Sequence, residues 1–268
     1  MKKNGLSVFH HHVIDFAKKR GINIGEALAE TRAMGFDGIV TELALLTDGD
    51  KFRQLLTDNG LRVHSIVAGI DFVHDEPTAC ASKTEALLSA AVAFGVGNVL
   101  ILPGLFREGD DQHAGLDLIC GGLSDACRLA APLGIDVTIE DFGIGHAPNG
   151  NIAGCAMILD RVPELKFTFD TGNFSCYGED PDVAYDRLRE RTAFVHLKDH
   201  PPGPDGKPNA SEEVPVGEGA LDLGRLVRRM LDDGYTGDFA AEHFGHADQE
   251  SAMRRSAAFC LHVFGAQS

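Results

Sequence analysis

The stretch LDLICGGLSDACRLAAPLGIDVTIE, residues 116–140, contains the unit whose repetition decides the fold. Leu116 to Ala130 spaces its apolar residues as an amphipathic helix, Gly134 stands where a left-handed helix cap is favoured, and Ile135 to Ile139 is a short apolar run. The run ends on a polar residue, Glu140. Outward from it the same unit recurs, with apolar runs at Leu6 to Phe9, Phe36 to Thr41, Leu61 to Ala68, Asn98 to Leu102, Leu165 to Phe169, Ala193 to Leu197 and Asp238 to Ala241. Helical patterns lie between or after them: Ile24 to Met34, Lys51 to Asp58, Lys83 to Phe94, Ile152 to Arg161, Asp182 to Arg191, Leu223 to Asp232 and Glu250 to Phe264.

Strands that alternate with helices pair in parallel, because each helix carries the chain back across the sheet before the next strand begins. Eight such units predict an α/β fold, a TIM (β/α)8 barrel, as one domain over residues 1–268. Gly35, Gly60, Gly95 and Gly234 sit just before strands as Gly134 does. An open doubly wound sheet would carry a glycine-rich phosphate loop after its first strand, whereas Phe9 is followed by His10, His11 and His12.

Composition narrows the function. The 268 residues are 44% hydrophobic and carry a formal net charge of -16, which opposes a nucleic-acid partner because polyanion binding rests on a basic footprint. Lys2 and Lys3 near the start lead into no long apolar segment, and no run approaches a membrane span, so a soluble, cytoplasmic protein without a membrane partner is expected. Cys80, Cys120, Cys127, Cys155, Cys176 and Cys260 form no C-x-x-C pair and read as reduced, mostly buried thiols.

Four strand ends carry a metal-capable residue with matching parity. Thr138 and Glu140 share one face against Val137 and Ile139, Thr168 and Asp170 oppose Phe167 and Phe169, Phe194 and His196 oppose Val195 and Leu197, and Ala240 and Glu242 oppose Phe239 and Ala241. With the apolar faces on the helices, Glu140, Asp170, His196 and Glu242 point into the C-terminal mouth of the barrel. Three converging carboxylates need a positive charge among them. One divalent cation supplies it, and this donor set suits Mn²⁺ or Mg²⁺, with Co²⁺ or Zn²⁺ as alternatives.

The segments Ile139-Glu140, Phe169-Asp170-Thr171-Gly172-Asn173, Val195-His196-Leu197-Lys198-Asp199, Gly217-Glu218-Gly219 and Ala241-Glu242-His243 resemble the strand ends of the xylose isomerase-like TIM barrels, the superfamily of sugar phosphate isomerases and epimerases. The resemblance implies that Glu140, Asp170, His196 and Glu242 are the metal ligands, with Glu140 and Glu242 also acting as acid and base on a small sugar-like substrate. It implies an isomerase or epimerase of a small ketose or related polyhydroxy carbonyl compound that works through an enediolate. The alternative is a dehydratase of the inosose or 3-dehydroshikimate type. Relatives are commonly homodimers or homotetramers.

The chain also departs from the pattern. Asn173 stands where many relatives have a histidine, Pro202 where ketose 3-epimerases often have an arginine, and His146 where they have a glutamate. Asn173, His146, Lys198 and His64 are the candidate substrate contacts, Lys198 reading equally as a salt bridge at the barrel rim and His64 equally as a core histidine. Glu42 ends the second strand in a similar way. His10 or His12 is expected to line the mouth, on the premise that the tract continues a strand and alternates faces. With no Trp, an apolar wall must come from residues such as Phe9, Phe72, Phe142, Phe174 or Phe244. The long segment Pro201 to Glu218, rich in Pro, Gly and charge, reads as a lid or as a disordered surface loop.

Overall fold

The computed structural model describes residues 4–265; Lys2 and Lys3 of the targeting argument lie outside them. Eight strands hydrogen-bond in chain order as a closed barrel: β1 (Leu6–Phe9), β2 (Gly38–Glu42), β3 (Arg62–Gly69), β4 (Asn98–Leu102), β5 (Asp136–Glu140), β6 (Lys166–Asp170), β7 (Thr192–Lys198) and β8 (Asp238–Glu242). The helices are α1 (His10–Arg20), α2 (Ile24–Ala33), α3 (Gly49–Asp58), α4 (Pro77–Phe94), α5 (Gln112–Ala130), α6 (Ile152–Arg161), α7 (Pro181–Leu188), α8 (Leu223–Asp232) and α9 (Gln249–Gly265). The five glycines read as helix caps all have positive φ, from 65° at Gly95 to 110° at Gly35.

The contacts divide the chain into two compact units. Of the described residues, the first comprises 4–41, 46–64 and 195–265. There β1 lies parallel between β2 and β8, Ser7 facing Gly38 on one side and Ala240 on the other, and α1 packs on α2 and α9. The second comprises Glu42–Leu45 and Ser65–Phe194, where β4, β5 and β6 pair in parallel with Val99 opposite Val137 and Ile139 opposite Phe167. The polar faces meet as the alternation requires: Thr168 Oγ1 donates to Thr138 Oγ1 at 2.8 Å and Thr138 Oγ1 to the Val99 carbonyl at 2.9 Å. The opposing side chains Val137, Ile139, Phe167 and Phe169 are buried.

Three readings need correction. The histidine tract does not extend β1; His10, His11 and His12 form the first turn of α1 after an extended Phe9, so the strand alternation assumed for them does not apply. Buried Val13, Phe16 and Ala17 set its inner face at helical spacing, Lys18, Lys19 and Arg20 favour its C-terminal dipole, and Gly21 closes it at φ 67°. Helix α4 starts at Pro77, six residues before the apolar pattern, because proline suits a first helical turn. Helix α7 stops at Leu188, and Arg189–Arg191 tightens into a 3-10 turn.

His10 is buried, stacked on Phe52 at 4.4 Å with Nδ1 3.0 Å from Thr41 Oγ1. Burial, with His11 beside it, pushes its pKa from 6.5 down to about 4. The neutral ring is favoured in the fold, so the stability it contributes is full above pH 6.5 and is lost as pH falls toward 4. Calorimetry across that window should show the melting midpoint falling, and His10→Gln should fall less steeply.

Candidate functional site

In the second unit, Glu140 and Asp170 close β5 and β6 and are both buried. Local sequence holds each of them. Asp170 Oδ1 accepts the backbone N–H groups of Gly172 (2.8 Å) and Asn173 (2.9 Å), which fixes the carboxylate plane. Behind it, Asp141 Oδ1 accepts the Asp170 N–H at 3.0 Å, and the Asn173 amide donates to the Asp141 carbonyl at 2.7 Å. Asn149 Nδ2 donates to the Glu140 carbonyl at 2.7 Å. Burial pushes the Asp141 carboxyl well above the usual range, and the charges of Asp170 and then Glu140 add to the rise. Asp141 therefore favours its neutral form, which relieves repulsion among three adjacent acids.

In the first unit, His196 and Glu242 come from the C-terminal ends of β7 and β8. The His196 ring is buried against the edge of Phe9, with centroids 5.0 Å apart, and its Nδ1 lies 3.5 Å from Glu242 Oε2. Lys198 Nζ binds Glu242 Oε1 at 2.6 Å and lies 3.7 Å from Glu213 Oε1. Behind this pair, His12 and His243 stack at 4.2 Å. His12 Nε2 accepts the His243 backbone N–H, and the His243 ring is held by Gln249 Oε1 at 2.7 Å from Nδ1. Burial lowers both imidazoles, His243 to about 4, so neither adds a positive charge near neutral pH.

Glu140, Asp170 and His196 each present a ligand atom, and the three atoms lie within 4.8 Å of one another. That is the spacing of donors around one ion, and two carboxylates with one imidazole fit a hard or borderline divalent cation. Glu242 has one oxygen on Lys198.

The remaining candidates divide. Asn173 is buried beside Asp170, and Lys198 is buried on Glu242. His146 is exposed in the loop after β5, where its carbonyl accepts the Phe106 N–H. His64 is not at the strand ends that carry His196 and Glu242. It lies near the start of β3 among Asp37 and Asp238, so close to Gly38 that a Cβ there would sit 2.2 Å from its ring. That is the place of a core histidine and not of a substrate contact. Phe174 is likewise no wall, being fully buried against Phe169.

The segment Pro201 to Glu218 is neither loose nor unstructured. Asp199 gathers it by accepting the backbone N–H groups of His200, Gly217, Gly219 and Leu221, while Val216 N–H donates to Ser256 Oγ. Sequence reading assigned no role to Asp141 or to the hydrogen-bonded pairing of His12 with His243 and Gln249. Only the acidic doublet Glu140-Asp141 after an apolar run carried a signal.

The family description "Xylose isomerase-like TIM barrel" matches residues 28–262. The chain belongs to that family. A curated relative provisionally named L-ribulose-5-phosphate 3-epimerase SgbU, from Escherichia coli strain K12, is 30% identical over 84 residues, 31% of this chain. The match spans only 29% of that relative's length. Among solved structures, a xylose isomerase-like TIM barrel protein from Mycobacterium smegmatis in complex with magnesium is 21% identical, with a TM-score of 0.74 over 90% of this chain and 88% of that one. AsbF from Bacillus anthracis, provisionally a 3-DHS dehydratase, is 18% identical, with a TM-score of 0.76 over 97% and 98%. D-allulose 3-epimerase from Methylomonas sp. in complex with D-allulose is 15% identical, with a TM-score of 0.78 over 98% of each chain. At these identities the likeness shows a shared fold. Among the described residues, no helix is long and apolar enough to cross a membrane.

Proposed function

We propose that this xylose isomerase-like barrel is a divalent-metal-dependent isomerase or epimerase of a small ketose or related polyhydroxy carbonyl compound. The observation that carries the reading is the convergence of Glu140, Asp170 and His196 to within 4.8 Å. These residues would hold the ion, Mn²⁺ or Mg²⁺ before Co²⁺ or Zn²⁺, with Glu242 as a fourth ligand. When bound, such a cation supplies Lewis-acid polarisation of a carbonyl.

The chain's own residues supply the proton chemistry. Of Glu140 and Glu242, one takes the proton from the carbon beside the carbonyl, and the other delivers a proton. Delivery to the other face of that carbon gives an epimer, and delivery to the neighbouring carbon gives an aldose–ketose pair. Lys198 positions Glu242 through its 2.6 Å contact, and the N–H groups of Gly172 and Asn173 hold Asp170 in place. Asn173 and Lys198 are the substrate contacts in this reading, with exposed His146 reaching the substrate only if its loop closes. The reading extends to one domain over residues 1–268, a cytoplasmic homodimer or homotetramer, and a small molecule as partner instead of nucleic acid or membrane.

The test is NMR in D₂O with the Mn²⁺-loaded enzyme and a panel of ketoses. Deuterium at the α-carbon with no loss of water is expected. Loss of water from the substrate would replace the isomerase by the dehydratase, the chemistry of the provisional name that AsbF bears. Neither change with any ketose or cyclic polyhydroxy ketone would remove the enzyme reading.

A further inference from the structure

Beside Glu140 the second unit contains a cavity of about 620 Å³. It opens at the C-terminal ends of β3 and β4, and its walls include Ile70, Leu102, Pro103, Leu105, Phe106 and Phe142. Phe142 stands two residues after Glu140, and Asn149, which also lines the cavity, donates to the Glu140 carbonyl. Two residues that adjoin the strand end bearing a proposed catalytic carboxylate therefore form part of the cavity wall. The cavity volume is within the range of about 300–1,000 Å³ that accommodates a drug-sized ligand, far more than one small sugar needs.

The charged groups around the rim are matched with one another. Asp71 holds His74 at 2.9 Å and Arg107 at 3.3 Å, His74 Nε2 lies 2.9 Å from Asp110, and Lys83 binds Asp75 at 2.6 Å. Three acids thus face three bases, and the carboxylates of Asp71 and Asp110 raise the His74 pKa so that it favours the charged form. Gly104 makes the close approach possible: its φ is 107°, and a Cβ there would lie 2.4 Å from Asp71 Oδ1. The network ties the loop after β3 to the loop after β4 at the edge of the cavity. With its rim charges neutralised internally, the cavity presents an apolar wall to a ligand.

We infer that the substrate is a sugar-like carbonyl compound bearing an apolar, ring-sized substituent, and that this cavity seats the substituent while the polyhydroxy part lies at Glu140. The inference rests on the proposed function and narrows its substrate class. An aromatic ring taken out of water into such a cavity strengthens binding about tenfold or more.

The chain has no Trp, so Leu105→Trp places a single indole in the cavity wall. Its fluorescence is to be titrated, on the Mn²⁺-loaded protein, with phenyl β-D-glucopyranoside and with methyl β-D-glucopyranoside. Saturable change with at least tenfold preference for the phenyl compound is expected, and Phe106→Ser in the same background should lose most of that preference. Saturation-transfer NMR on the wild-type protein repeats the comparison without the substitution. Equal affinity for the two glycosides, or no binding of the phenyl compound to wild type, overturns the inference. Mn²⁺ binding measured on the same samples separates the two failures: an ion bound without phenyl preference sinks only the substrate class, and no ion bound sinks the proposed function.

Discussion

Asp170→Asn is expected to leave a folded barrel that no longer holds a divalent cation. The substituted amide keeps an oxygen for the N–H groups of Gly172 and Asn173, so the local turn survives. What disappears is one of two negative charges in the Glu140–Asp170–His196 trio. Loss of contacts outside a metal's own ligands costs about 10–100-fold in affinity, and loss of a ligand should exceed that. Isothermal titration with Mn²⁺ should show affinity down by more than about 100-fold. Turnover should fall in parallel, with the melting midpoint of the metal-free protein within a few degrees of wild type. Unchanged Mn²⁺ affinity would remove Asp170 from the ligand set.

Lys198→Met should do the opposite, weakening the fold first. Lys198 and Glu242 are 8% and 5% exposed and joined at 2.6 Å. Methionine fills the space of the lysine stem but leaves the Glu242 carboxylate buried without its closest cation. Removing one partner of a buried pair costs about 3–5 kcal/mol, and urea unfolding of the metal-free protein should show a loss of that order. Added Mn²⁺ should restore part of the loss, because an ion at Glu242 replaces the missing positive charge. A variant as stable as wild type would mean that solvent already screens the pair.

Much of the barrel could be read in the sequence because its signals are local. Each strand is a short apolar run, and a glycine in the left-handed region, such as Gly95 or Gly134, marks where the preceding helix must stop. The eight strands appear where those runs lie, with ends shifted by a residue or two. Helix α1 escaped because its polar opening, His10 to His12, hides the Val13, Phe16 and Ala17 face behind it. Periodicity needs about two turns to declare itself, and a tract of three histidines argues for a metal site before it argues for a helix.

For the site, parity was legible and depth along the strand was not. Alternation places His64 on an inward face as well as it places His196. Only the packing of His64 against Gly38, Asp37 and Asp238 shows that it occupies the strand starts. Likewise, the anchoring of the two ends of Pro201 to Glu218 depends on the N–H groups of His200 before it and of Gly217, Gly219 and Leu221 at and beyond its close reaching one carboxylate, Asp199, across a span that composition describes only as polar. The buried neutral pair His12 and His243 depends on stacking between residues 231 positions apart, which no local pattern encodes.

Anomalous diffraction from crystals soaked in Mn²⁺ addresses the metal centre most directly. One strong manganese peak in contact with the carboxylates of Glu140 and Asp170 and the imidazole of His196, with Glu242 reaching it as the fourth ligand, is the predicted result. A map with no peak among these side chains at saturating Mn²⁺, or with manganese bound only at surface carboxylates, would contradict it.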